Sequence, residues 1–204
     1  MPYLNQLQVG SFGLYGVQGN IRKWSDDGMK QFTGHHKHAK AYQVKQKLGS
    51  KKFDSYYKFC FVRNPFDHTV SIYFYISEHN GHPLHKKISN MSFLKFVEWY
   101  VSSKPPLQID FLMDSSRERR IVNYIGRFET LVNDVGIIKK NLNLEFNGDL
   151  EHRNPSNKRK TKSFKDYFDI ESRSLILDYF QLDFELLGYD FNGFKENIPL
   201  MEQI

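Results

Sequence analysis

The chain has 204 residues, 40% hydrophobic and 25% charged, proportions that suit one soluble globular domain with a full core. Its 29 Lys+Arg against 23 Asp+Glu leave a net charge of +6, which favours an anionic partner: nucleic acid, a sulfated or phosphorylated sugar, a nucleotide or an acidic membrane. No stretch approaches the ~20 apolar residues that span a bilayer, the opening "MPYLNQLQVGSFGLYGVQGN" has no signal-peptide pattern, and a single cysteine excludes an intrachain disulfide.

Residues 1–30 carry Gly10, Gly13, Gly16 and Gly19 at every third position, which discourages both helix and regular strand. No Gly-Lys-Ser/Thr follows to cradle a phosphate, so an irregular lead-in is expected. From Lys37 to Leu48, the residues Ala41, Val44 and Leu48 share a helical face and Gly49 can end the helix. "YYKFCFV" (56–62) is apolar apart from Lys58 and rich in strand formers, the pattern of an interior strand in a parallel sheet; it makes Cys60 a buried thiol. Asn64 is then placed as N-cap and Pro65 as first helical residue. Val70, Tyr73, Phe74 and Ser77 continue at helical spacing up to "HNGHP". In "EHNGHPLH", Gly81 and Pro83 break any helix, and His79, His82 and His85 are expected in a surface loop. "SFLKFVEWYV" (92–101) predicts a second amphipathic helix, "RIVNYIGRFE" (120–129) another strand, and "TLVNDVGIIKKNLNL" (130–144) the helix after it. A basic loop (147–163) precedes one long helix over 169–189 that ends at Gly188.

Strands alternating with helices imply a single α/β domain over 1–204, with ligands at the carboxyl ends of its strands. That is where Arg63 stands. A guanidinium there presents a planar donor fork matched to phosphate or sulfate, and the helix start behind it adds unpaired N–H groups. Ser71, eight positions on (71 − 63 = 8), can add a hydroxyl donor, completing a dianion clamp. The local mechanics leave a second account open, in which Arg63 caps a helix or pairs with a structural carboxylate and Ser71 packs as a small residue. "TGHHKHAK" places His35, His36 and His38 ahead of a helix; the spacing is not a strong zinc pattern, and the other accounts of it are a solvated turn and a chance metal site.

"FVRNPFDHTVSIY" resembles the 3′-phosphate-binding segment of sulfotransferases that use 3′-phosphoadenosine 5′-phosphosulfate (PAPS). It resembles most the carbohydrate-directed group related to heparan sulfate 2-O-sulfotransferase. The stretches 34–49, 125–131 and 152–169 agree in order and spacing, so the resemblance covers residues 31–190. It implies a three-layer P-loop-NTPase-like fold with a central, mainly parallel sheet flanked by helices. It also implies PAPS as co-substrate, no metal, an anionic or neutral carbohydrate acceptor, and no nucleic-acid partner. By the family's pattern Arg63 and Ser71 hold the donor's 3′-phosphate. The family's Gly-His pair aligns with Gly34-His35, making His35 the general base with His36 as substitute. Lys158, Arg159 and Lys160, in "SNKRKTK" (156–162), fall where the family closes over the nucleotide; a solvated surface run is the other account of them. Glu129 falls on a recurrent position and is expected to organise the next helix start.

The pattern departs in two places. Family members open with a strand and a Pro-Lys-Thr-Gly-(small)-Ser/Thr loop around the 5′-phosphosulfate, and nothing in residues 1–33 matches it; Lys23 and Lys30 lack the surrounding glycines and hydroxyls. The fold is therefore expected with its first strand missing. The chain is then either a shortened form or a non-catalytic relative that binds nucleotide or glycan. His68 also stands where relatives commonly have arginine. A cytoplasmic setting is expected, the alternative being the Golgi-luminal portion of a longer membrane-anchored protein.

Overall fold

The computed structural model describes the backbone of residues 12–15 and, in full, residues 39–143 and 163–202. In chain order the elements are β1 (Phe12–Tyr15), α1 (Ala41–Leu48), α2 (Ser50–Asp54), β2 (Tyr57–Val62), α3 (Pro65–Glu78), α4 (His85–Ile88), α5 (Phe93–Ser102), β3 (Tyr124–Arg127), α6 (Leu131–Asn141), α7 (Ile170–Tyr179) and α8 (Gln181–Leu187), with 3-10 turns at Gln108–Phe111, Phe164–Tyr167 and Pro199–Met201. The chain forms an α/β protein of two compact units. One comprises Met1–Arg63 with Gln108–Arg153, the other Asn64–Leu107 with Asn154–Gln203.

The first unit is built on β2, which is buried from Lys58 to Val62. β3 pairs with it in parallel, opposing Phe61 to Gly126 and Val62 to Arg127. On the other edge β1 pairs antiparallel, Phe12 opposite Cys60 and Tyr15 opposite Tyr57. Within the lead-in expected to be irregular over 1–30, Phe12–Tyr15 thus form a strand, ordered by ladder bonds to β2; the rest of that stretch lies outside the described residues. The β1 ladder leaves the described sheet mixed, with one parallel and one antiparallel pairing. Lys58 stays inside the sheet by donating from Nζ to the Tyr56 carbonyl (2.9 Å) and lying 5.1 Å from the centre of the Phe53 ring, while burial pushes its pKa down. α6 covers the sheet with Val135 and Ile138 against Phe59 and Phe61. The strand expected over 120–129 contracts to β3, because Arg120 turns back into a bridge with Met113. Gly49, at φ +79°, ends α1 where expected, and α2 follows at once to bury Phe53.

The second unit is held by rings. Phe66, fully buried, has the Phe168, Phe184 and Phe191 rings each 5.0 Å away, and Phe164 stacked at 6.3 Å. Tyr73 sits between Phe93 (5.4 Å) and Phe96 (5.1 Å) and donates its hydroxyl to the Met91 carbonyl at 2.8 Å. The single long helix expected over 169–189 is two: α7 breaks at Phe180, whose ring is buried against Tyr100, and α8 restarts before the left-handed Gly188. The expected histidine loop likewise contains the short helix α4.

Candidate active site

β2 ends on Val62, whose carbonyl accepts from the Phe128 N–H at 2.7 Å. The ladder continues one residue further through a side chain. The Arg63 N–H donates to Gln108 Oε1 at 2.8 Å, and the Arg63 carbonyl accepts from Gln108 Nε2 at 2.8 Å. Gln108 is buried, and its amide occupies the place of a neighbouring strand's peptide. The Arg63 guanidinium, half-buried, lies over the Phe128 ring, 4.3 Å from its centre. Stacking engages the face of a guanidinium whereas an oxyanion is gripped by its edge, so one arginine can do both.

The helix that follows is capped as the sequence predicts. Asn64 Oδ1 accepts the Phe66 N–H at 3.0 Å, with Pro65 in the first turn. The same buried side chain donates from Nδ2 to the carbonyls of Asp190 (2.8 Å) and Gly193 (3.2 Å), tying the start of α3 to the C-terminal loop. Ser71 lies in the second turn of α3, half-buried, and among the described residues its hydroxyl has no hydrogen-bond partner. His68 is half-buried one turn earlier and donates its N–H to the Asn64 carbonyl.

Two further groups were missed by sequence reasoning. Asp110, 5% exposed in its side chain, receives Lys40 Nζ at 3.1 Å and Arg117 Nη2 at 2.6 Å. One 3-10 turn thus holds the Arg63 backbone with Gln108 and gathers two more cations with Asp110. Arg117 reaches its place from a left-handed turn, φ +61°, closed by Asp114, whose Oδ1 accepts from Ser116 Oγ and from the N–H groups of Glu118 and Arg119. The junction between β3 and α6 is organised by the buried Asp134; Glu129, expected to organise it, is exposed. Asp134 accepts from Tyr124 Oη (2.5 Å), Thr130 Oγ1 (2.6 Å) and the Arg127 N–H (2.9 Å). Burial, and then the bond to Asp134, push the Tyr124 hydroxyl well above its ordinary pKa.

Arg63 stands in the first unit and Ser71 in the second. His35, His36, Lys158, Arg159 and Lys160 lie outside the described residues. His79, His82 and His85 serve the local chain: His79 Nδ1 meets the Tyr75 carbonyl at 2.8 Å, His85 Nδ1 the Ile76 carbonyl at 3.0 Å, and His82 Nδ1 accepts the Leu84 N–H at 3.1 Å.

A model of the sulfotransferase family matches residues 17–190, most of the chain and the whole of this junction. The chain belongs to the sulfotransferase family. An uncharacterized protein of Archaeoglobus fulgidus is similar to it, 33% identical over 107 residues that make up 51% of this chain and 82% of that protein. No solved structure matches it. Among the described residues of this sulfotransferase-family chain, no helix is long and apolar enough to cross a membrane.

Proposed function

We propose that this chain is a PAPS-dependent sulfotransferase that transfers a sulfuryl group to a hydroxyl of a carbohydrate, on a three-layer P-loop-NTPase-like scaffold. The observation that carries the reading is the junction from β2 through Arg63 to α3. A strand delivers an arginine, stacked on Phe128, directly ahead of a helix start capped by Asn64. In this reading Arg63 and Ser71 bind the 3′-phosphate of the donor, and the Ser71 hydroxyl, without a partner among the described residues, supports it. Lys158, Arg159 and Lys160 close over the nucleotide. His35, or His36 in its place, takes the proton of the acceptor hydroxyl as the acceptor oxygen attacks sulfur. The bond from sulfur to the bridging phosphate oxygen breaks, leaving a sulfate ester and adenosine 3′,5′-bisphosphate. Charge spread over oxygens in an in-line displacement makes positioning and electrostatics the main contributions of the protein.

Truncating Arg63 to Ala should weaken binding of adenosine 3′,5′-bisphosphate by about 2–5 kcal/mol, the cost of removing one partner of a buried charged pair. Calorimetry reads this directly, and an unchanged affinity would remove Arg63 from the site. Turnover with labelled donor and a panel of sugars tests the transfer. A second reading is donor or glycan binding without transfer. Bisphosphate binding with no transfer to any sugar would select it.

A further inference from the structure

We infer that Gln108 is the positioning residue of the donor site: it sets the direction in which Arg63 leaves the sheet, and so governs recognition of the 3′-phosphate. The inference rests on the reading of Arg63 given above. Arg63 follows the last residue of β2 and precedes the cap of α3, so neither strand nor helix holds its peptide groups. Gln108 holds both, at 2.8 Å each, close to the most favourable hydrogen-bond length. Two bonds to one residue, N–H and carbonyl, restrain the rotation about its Cα that aims the Cα–Cβ vector. With Gln108 only 4% exposed, water cannot readily take over either bond. The ring of Phe128 then supports the guanidinium from its face. A long cationic side chain aimed by a rigid root and a flat platform is preorganised for a planar, two-point grip on an oxyanion, and displacements near 1 Å are enough to lose much of such a grip. A glutamine between Leu107 and Ile109, in the otherwise apolar "LQI", has little local reason to be buried; the main chain of Arg63 provides one.

The test compares adenosine 3′,5′-bisphosphate with adenosine 5′-monophosphate by titration calorimetry, because the ratio of the two dissociation constants reads the 3′-phosphate alone. Loss of fold lowers the binding stoichiometry without altering that ratio. Gln108→Met, which keeps side-chain length and loses both bonds, should lower the preference about tenfold, the equivalent of ~1.4 kcal/mol. Combined with Arg63→Ala it should lower it no further than Arg63→Ala alone, since Gln108 acts through Arg63. Gln108→Glu supplies a second variant: only its protonated carboxyl can both donate and accept, so its preference relative to the unsubstituted protein should recover as pH falls through the carboxyl range. An unchanged preference in Gln108→Met, where Arg63→Ala lowers it, overturns the positioning role and leaves the Arg63 reading standing. Additive losses in the double variant also overturn it. An unchanged preference in Arg63→Ala overturns both.

Discussion

Adding one methyl group at two glycines of the same unit should change stability in opposite directions. At Gly126, opposite Phe61 in the parallel pair, a Cβ would lie 2.6 and 2.9 Å from two Phe61 ring carbons and 3.1 Å from Asp134 Cβ. Carbon atoms pack at about 3.5–4.0 Å, so the ring would have to retreat by roughly 1 Å. It has nowhere to go: Phe61 is 1% exposed and packed among Phe59, Val135 and Ile138. Overpacking of this kind costs about 1–3 kcal/mol. Entropy removed from the unfolded chain returns about 0.4–1 kcal/mol. Gly126→Ala should therefore destabilise by roughly 1–2 kcal/mol, a loss of about half to 1 M in the urea midpoint at a typical slope. At Gly136, inside α6, nothing lies within 4 Å of the added atom, and Gly136→Ala should stabilise by about 0.5–1 kcal/mol through helix propensity. Urea unfolding followed by far-UV circular dichroism measures both. A Gly126→Ala midpoint equal to or above that of the unsubstituted protein would refute the packing argument, all the more if Gly136→Ala moved the same way.

Two other perturbations bear on the junction and the sheet. Asn64→Ala removes a helix cap worth about 1–2 kcal/mol and strips the donors from two carbonyls, at about 1–3 kcal/mol for a buried one; thermal melts should fall accordingly. Asn64→Asp keeps the cap acceptor but turns a buried carboxylate oxygen toward the carbonyls of Asp190 and Gly193, so it too should lower the melt; a melt equal to that of the unsubstituted protein would count against the link. Burial pushes the Cys60 thiol from 9.0 up to about 12, so the folded chain holds a proton that the unfolded chain releases near pH 9. Its contribution is complete below pH 9 and fades as pH rises toward 12, by about 1.4 kcal/mol per unit and about 4 kcal/mol in all. The stability difference between the unsubstituted protein and Cys60→Ala should shrink along that slope; parallel pH curves would refute it.

The junction that defines the candidate site is legible because its signals are local and agree. An apolar β-branched and aromatic run, an Asn-Pro and a helical period each call for the next, and the structure carries β2, Asn64 as cap and α3 in that order. Elements that depend on distant partners are less legible. β1 exists because β2 offers it a ladder, which the glycines around Phe12–Tyr15 do not announce. The break at Phe180 leaves no Gly or Pro to mark it, and the apolar period runs through it unbroken. Gln108 and Asp110 act across 45 and 70 residues of chain, so no motif contains them. The signal available was two polar residues within "LQIDFLM", a run that reads as buried, where polar groups must find partners.

The two bonds between Gln108 and Arg63 also act as a clasp. The chain leaves the first unit after Arg63 and re-enters it at Gln108, so the excursion over 64–107 starts and finishes at one knot tied with the first unit's own atoms. Lengthening that excursion beyond α3 asks little of the knot, since doubling a loop costs only about 0.6 kcal/mol in closure entropy. The largely exposed turn over 79–83 is therefore open to insertion while the packed helices on either side, and the clasp at Arg63, stay as they are.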